Sequence, residues 1–241
     1  MEDPYLFYSV IGVATVIAGI IRGFAGFGGP LFLLPLLTIF LPPAVSAGIV
    51  IWVDLFANIR LLPEARHESS RNVVIPLVVG TFAFMPIGTY LLISLDHELM
   101  KRVISFAILS AAIALMSGWR YTGMAGWREY AVVGTVSGTV MGATSIAVLT
   151  ALFLNSGGHT ARQNRANFIV WCFFATLLFL LLLGVSGTLV WGNAVTIAIL
   201  TPLYLLGTAL GVNFHRDTSD KMIRRVILAL IMTVALVGLI F

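Results

Sequence analysis

Cysteine occurs once in this chain of 241 residues, at position 172, and charged residues make up only 10% of it. A single cysteine excludes an intrachain disulfide, and its place inside an apolar run gives redox chemistry little support, so packing is its expected role. Histidine is nearly as sparse. His67 and His159 fall in basic loops, and no second His, Cys or acid stands at ligand spacing, so no metal site is expected and no cofactor is called for. The chain also lacks an HExxH zinc motif, a serine elbow and any histidine cluster, the usual marks of a membrane-embedded enzyme. Period-two alternation is missing too, which argues against a membrane barrel.

What is present is apolar. Hydrophobic residues reach 59%, and the mean hydropathy is +1.03, far outside the range of soluble domains. Runs such as "NVVIPLVVGTFAFMPIGTYLLI" have the length, about 20 residues, at which a helix crosses a hydrocarbon core of about 30 Å. The expected fold is an all-α integral membrane protein, a polytopic helix bundle with the lipid bilayer as its surroundings. Apolar segments are expected near residues 5–21, 30–41, 44–61, 73–94, 103–118, 130–141, 143–156, 166–183, 193–212 and 226–241. The polar stretches between them, such as "PEARHESSR" and "GGHTARQNR", read as linkers. Two acids and no Lys or Arg precede the first apolar run, unlike a secretory signal, so the first helix is expected to be retained. The net charge of +4 lies in short loops, where membrane topology accounts for it, so nucleic acid is not an expected partner.

The two halves of the chain resemble one another. "SAGIVIW" lies over "RANFIVW", "LMKRVI" over "MIRRVI", and Gly19 and Gly23 lie over Gly134 and Gly138. Residues 1–120 and 128–241 therefore read as two transmembrane repeats within one membrane domain. Each opens with a glycine-rich interruption, the pattern expected of secondary transporters.

Basic residues give the topology. If each interrupted segment returns to its starting side as a re-entrant hairpin, one side holds Arg60, Arg66, Arg71, Arg120, Arg128, Arg162, Arg165, Arg216, Lys221, Arg224 and Arg225. The other side holds only Lys101 and Arg102, a split that fits the positive-inside rule. Under that reading the second half is inverted relative to the first, and both termini lie outside.

The interruption "IIRGFAGFGGPLF" is the first candidate site. Gly23, Gly26, Gly28 and Gly29, with Phe27 among them, allow the backbone to turn and approach a ligand. Pro30 suits the first turn of the next helix, whose unpaired amides attract anions beside Arg22. The alternative is that these glycines only permit close helix packing. In the second half the break recurs as "GATSIAVLT", with Gly142, Thr144 and Ser145 as counterparts. Asp54 lies near the middle of its helix with Asn58 one turn on, on the same face. Asp54 is expected to be either a proton-coupling site or the partner of an arginine such as Arg22. Arg165 and Asn167 open a later helix and are candidates for the anion, whereas Arg162 reads as surface. Trp52 and Trp171 could stack on substrate or simply pack.

The stretches "GIIRGFAGFGGPLFLLPLL" and "PPAVSAGIVIWVDLFAN", with the duplicated layout, resemble the TauE/SafE family of sulfite and organosulfonate exporters. The resemblance covers nearly the whole chain. It implies export of sulfite or an organosulfonate across a bacterial inner membrane, coupled to protons. Members often repeat a Gly-Gly motif in the second half; here "GATSIAVLT" has neither the double glycine nor a proline. A secondary transporter for a small anion, working by alternating access, is the leading functional class, with an anion channel or a membrane-embedded enzyme as the alternatives.

Overall fold

The structure, a computed structural model, describes residues 4–25, 28–117, 125–156, 159–188 and 193–217. The expected segment at 226–241 lies outside the described residues. Among those described there are nine helices and no strand: α1 Pro4–Ala25, α2 Gly29–Phe40, α3 Pro43–Glu68, α4 Arg71–Ser94, α5 His97–Ser117, α6 Trp127–Thr144, α7 Val148–Ser156, α8 Ala161–Val185 and α9 Ala194–Asp217.

Four helices, Pro43–Glu68, Arg71–Ser94, Arg162–Val185 and Ala194–Val212, are long and apolar enough to cross a membrane, and Tyr8–Phe24 and Gly29–Phe40 are shorter apolar helices. Large apolar side chains such as Val13, Phe106, Val132 and Leu181 are exposed, which lipid tolerates and water would not. Prolines 63, 76, 86 and 202 lie inside helices, as membrane helices allow when neighbours cover the freed carbonyl. The polar stretches are more helical than their hydropathy suggests. α3 continues through Pro63 to Glu68, and α8 begins at Ala161, where the Thr160 hydroxyl accepts the amide of Gln163. Hydropathy marks where a helix leaves the hydrocarbon, not where it ends.

Two intimate helix pairs frame the bundle. On α1, a methyl at Gly19 would strike the Tyr204 carbonyl, and one at Gly23 the Thr208 carbonyl; on α9, Gly207 and Gly211 meet the carbonyls of Val16 and Ile20. Contact positions rise together along both chains, so α1 and α9 run parallel. The second pair, α4 with α6, is built the same way: Gly134 meets Leu77, Gly138 meets Thr81, Gly142 meets Met85, and Gly80 and Gly88 meet Ala131 and Thr139. Glycine here allows backbones to touch, where dispersion and Cα–H contacts replace the hydrophobic drive that lipid does not supply.

These registers settle which ends share a side. Tyr8 and Thr196 hydroxyls lie 3.4 Å apart at the start of the α1/α9 pair. Gly29 comes back beside the Ala18 carbonyl, so the chain doubles back after α1, and α2 ends at a cavity lined by Pro42, Leu95, His97 and Thr188. The α1–α2 hairpin thus starts and ends at one end of the bundle. The α6–α7 hairpin does so at the other: α6 starts beside the beginning of α4, and α7 leads to the start of α8, where Asn167 Oδ1 accepts the Ser70 amide at 2.7 Å. With 12 and 9 residues, α2 and α7 rise only about 18 Å and about 14 Å, half a bilayer each.

Candidate functional site

The last turn of α1 carries Arg22 into the protein interior, where it is only 2% exposed. Its Nε donates to Asp54 Oδ1 at 2.8 Å, and its Nη2 donates to Asn58 Oδ1 at 2.6 Å. Asn58 lies one turn after Asp54 on α3, and its Nδ2 donates to Asp54 Oδ2 at 3.0 Å. From α9, the Tyr204 hydroxyl donates to Asp54 Oδ1 at 2.8 Å. Both carboxylate oxygens are therefore filled and the amide is used on both sides. A buried ion pair needs this: each desolvated ion costs several kcal/mol, roughly, and only good geometry with further hydrogen bonds offsets that. Phe168 of α8 lies beneath the guanidinium, with its ring centroid 5.8 Å from Cζ, adding a cation–π contact. Cys172, one turn further along α8, stands 3.7 Å from Asn58 Nδ2.

Both helix breaks arrive at this cluster. Arg22, Asp54, Phe168 and Cys172 line a cavity of about 20 Å³, together with Gly28, Pro30 and Leu31 from the first break and Ile146, Ala147 and Val148 from the second. Gly28 caps α2 with φ 100°, a left-handed conformation that glycine adopts without strain. Ser145 takes the corresponding turn after α6 at φ 58°. Two helix N-termini, α2 and α7, therefore open onto one space, each with amides that have no carbonyl behind them and the positive end of a helix dipole. The hydroxyls of Ser145 and Thr150, which flank the second break, are buried and have no hydrogen-bond partner among the described residues. The cavity holds about one water molecule.

A wider vestibule of about 380 Å³ reaches Gly23 from the end of the bundle where α3 finishes and α8 begins. Arg162, Arg165, Glu64 and Glu68 line it, and Arg162 pairs with Glu68 across its mouth. At the opposite end a space of about 270 Å³ lies among Pro42, Leu92, Leu95, His97, Met100 and Thr188.

The structure brings Arg22, Gly28, Asp54 and Asn58 together, with Gly29 against the Tyr204 hydroxyl at the edge of the cluster. Gly26 and Phe27 lie outside the described residues. Gly23 lines the vestibule while packing on α9, and Arg165 faces the same vestibule. Gly142 is spent on the α4 contact, and the Thr144 hydroxyl bonds back to the Val140 carbonyl. Asn167 caps the start of α4. Trp171 is fully buried and gives its indole N–H to Thr81 at 2.9 Å, while Trp52 packs near Phe56; neither lines the cavity. Sequence reasoning misses Tyr204 and Phe168. A tyrosine hydroxyl within an apolar run, "TPLYLLG", must find a partner, and that requirement is the signal for Tyr204. Phe168 carries none, being one aromatic among many. Cys172 packs as expected, and in addition it borders the cavity.

The family model for the sulfite exporter TauE/SafE matches residues 11–238 of the chain. No curated protein and no solved structure matches it.

Proposed function

The chain belongs to the sulfite exporter TauE/SafE family, and on that premise we propose that it is a secondary transporter that exports sulfite or an organosulfonate by alternating access, with Asp54 as its proton-coupling group. The family is one of multi-pass membrane exporters of sulfite and sulfonates. The reading for this chain is carried by one observation: two half-membrane helices point their N-termini at a common cavity walled by a buried arginine. Such ends favour a small oxyanion, because backbone amides and a guanidinium fork both donate.

The two hairpins enter from opposite ends, and the pairs α1/α9 and α4/α6 match in construction. This supports two inverted repeats, residues 1–120 and 128–241, that exchange their first helices and rock about the shared cavity. The basic end, with the vestibule, is then cytoplasmic in a bacterial inner membrane, and both termini lie outside. A channel would need a continuous path, whereas the central cavity here holds about one water. Counterflow in proteoliposomes tests the reading. A carrier exchanges labelled for unlabelled sulfite or methanesulfonate without net current; current without exchange marks a channel, and neither response would end the proposal.

A further inference from the structure

We infer that the exported anion and one proton leave together: the anion takes Arg22 away from Asp54, and the vacated carboxylate is protonated. This rests on the transporter reading of the same cavity and adds the sign of its proton coupling. The cavity has room for about one water, so an anion cannot simply be added to the present arrangement and must displace something. Among the described residues Arg22 is the one cationic side chain in its lining, and it is held by Asp54 and Asn58. A sulfonate or sulfite offers the guanidinium two oxygens in the same plane, as a carboxylate does, and so competes for the same fork.

Charge balance then calls for a proton. Arg22 and Asp54 together are neutral, and both are buried. Among the described residues, Tyr204 from α9 and Cys172 from α8 are the other titratable groups facing Asp54, and α2 and the α6–α7 break bring only Gly28, Pro30, Leu31, Ile146, Ala147 and Val148 to the cavity. Arg165 lies beyond Gly23 in the vestibule. An added monoanion would leave one uncompensated negative charge in a water-poor space, a state strongly disfavoured in a low-dielectric interior. One proton restores neutrality, and Asp54 is the carboxylate that has just lost its cation.

The hydrogen bonds balance on the same count. When Arg22 turns to the anion, Asp54 Oδ1 keeps the Tyr204 hydroxyl, but Asn58 Oδ1 loses its donor. A proton placed on Asp54 Oδ2 donates to Asn58 Oδ1 once that amide turns over. The Asn58 Nδ2 group then faces the guanidinium side, where the anion accepts it. The proton thus takes over the donation to Asn58 Oδ1 that Arg22 made, while Asp54 Oδ1, without the Arg22 Nε, still accepts from the Tyr204 hydroxyl.

Transport of a monoanion on this scheme is electroneutral, and an inward proton gradient opposes export, so the anion's own concentration difference drives it outward. Methanesulfonate, the anion of a strong acid, is the probe. Calorimetric titration of the purified protein in two buffers of different ionisation enthalpy should report about one proton taken up per anion bound. Liposomes loaded with methanesulfonate should turn alkaline inside as it leaves, at a rate unchanged when valinomycin clamps the potential. Binding with no proton, or with a proton released, overturns the inference and leaves the transporter reading standing. Failure of both binding and counterflow removes that reading itself. Asp54→Asn should still bind methanesulfonate but take up no proton; Tyr204→Phe, which leaves the carboxyl in place, should still take one up, and its failure to do so would also overturn the scheme.

Discussion

Arg22 Nε and Asp54 Oδ1 stand 2.8 Å apart with both residues buried, joining the last turn of α1 to the middle of α3. The pair is a stability element as well as a candidate for transport. Arg22→Gln leaves a buried carboxylate without its cation and should cost about 3–5 kcal/mol, whereas Arg22→Met combined with Asp54→Leu should recover much of the loss. Thermal unfolding of the two variants beside the wild-type protein in detergent checks this. Equal stability of the single and double variants would mean that the pair does not act as a unit.

Anion affinity should separate the fork from the charge. Arg22→Lys keeps the charge but loses the planar pair of donors, so methanesulfonate affinity should fall about tenfold or more. Arg71, exposed at the start of α4, sits on a wet surface, and Arg71→Gln should change affinity by less than about twofold. Equilibrium binding to the purified variants gives the comparison.

Gly29 and Tyr204 should be coupled. A methyl at position 29 would strike the Tyr204 hydroxyl, which is committed to Asp54. Gly29→Ala is expected to destabilise the protein by about 1–3 kcal/mol, as overpacking does, and Tyr204→Phe should relieve part of that because it removes the struck atom. Additive losses in the double variant would place the clash elsewhere.

Cys172 offers a reporter already in place, since it borders the cavity and is the only cysteine in the chain. A sulfonate-bearing methanethiosulfonate reagent should label the wild-type protein slowly and inhibit exchange. Methanesulfonate should protect against labelling, and Cys172→Ser should be indifferent to the reagent. Labelling that methanesulfonate does not slow would separate the thiol from the anion site.

Orientation can be read with two cysteines introduced in a Cys172→Ser background. Positions 67 and 97 are exposed at opposite ends of the bundle. An impermeant reagent added to intact cells should reach a cysteine at His97 and not one at His67. The reverse pattern would turn the protein over in the membrane.

Much of this arrangement is legible in the sequence because membranes make polar groups conspicuous. Arg22, Asp54 and Asn58 stand out as residues too costly to leave unpartnered in hydrocarbon, and the structure joins them. The breaks are legible from Gly28, Gly29 and Pro30, and from the recurrence near Ser145. What stays hidden depends on distance along the chain. Nothing local says that Tyr204 reaches Asp54, or that the glycines of α1 serve α9 while those of α6 serve α4. The tryptophans are ambiguous for a related reason: an indole packs or binds according to its neighbours, and Trp171 finds Thr81. Helix ends are blurred because polar residues outside the hydrocarbon still continue a helix, as in α3 through Glu68.

The parallel seam between α1 and α9 has a consequence for synthesis. Gly19 and Gly23 can be covered only when Gly207 and Thr208 have been made, and the intervening chain takes roughly ten to forty seconds to emerge at about 5–20 residues per second. Throughout that interval the first hairpin must wait in the membrane with its glycine face turned to lipid or to the insertion machinery. Arg22 is better served, because Asp54 comes after it closely enough to be paired almost at once. The nascent protein is therefore neutralised early and closed late, and a ribosome stalled before α9 leaves an open flank that membrane quality control can recognise.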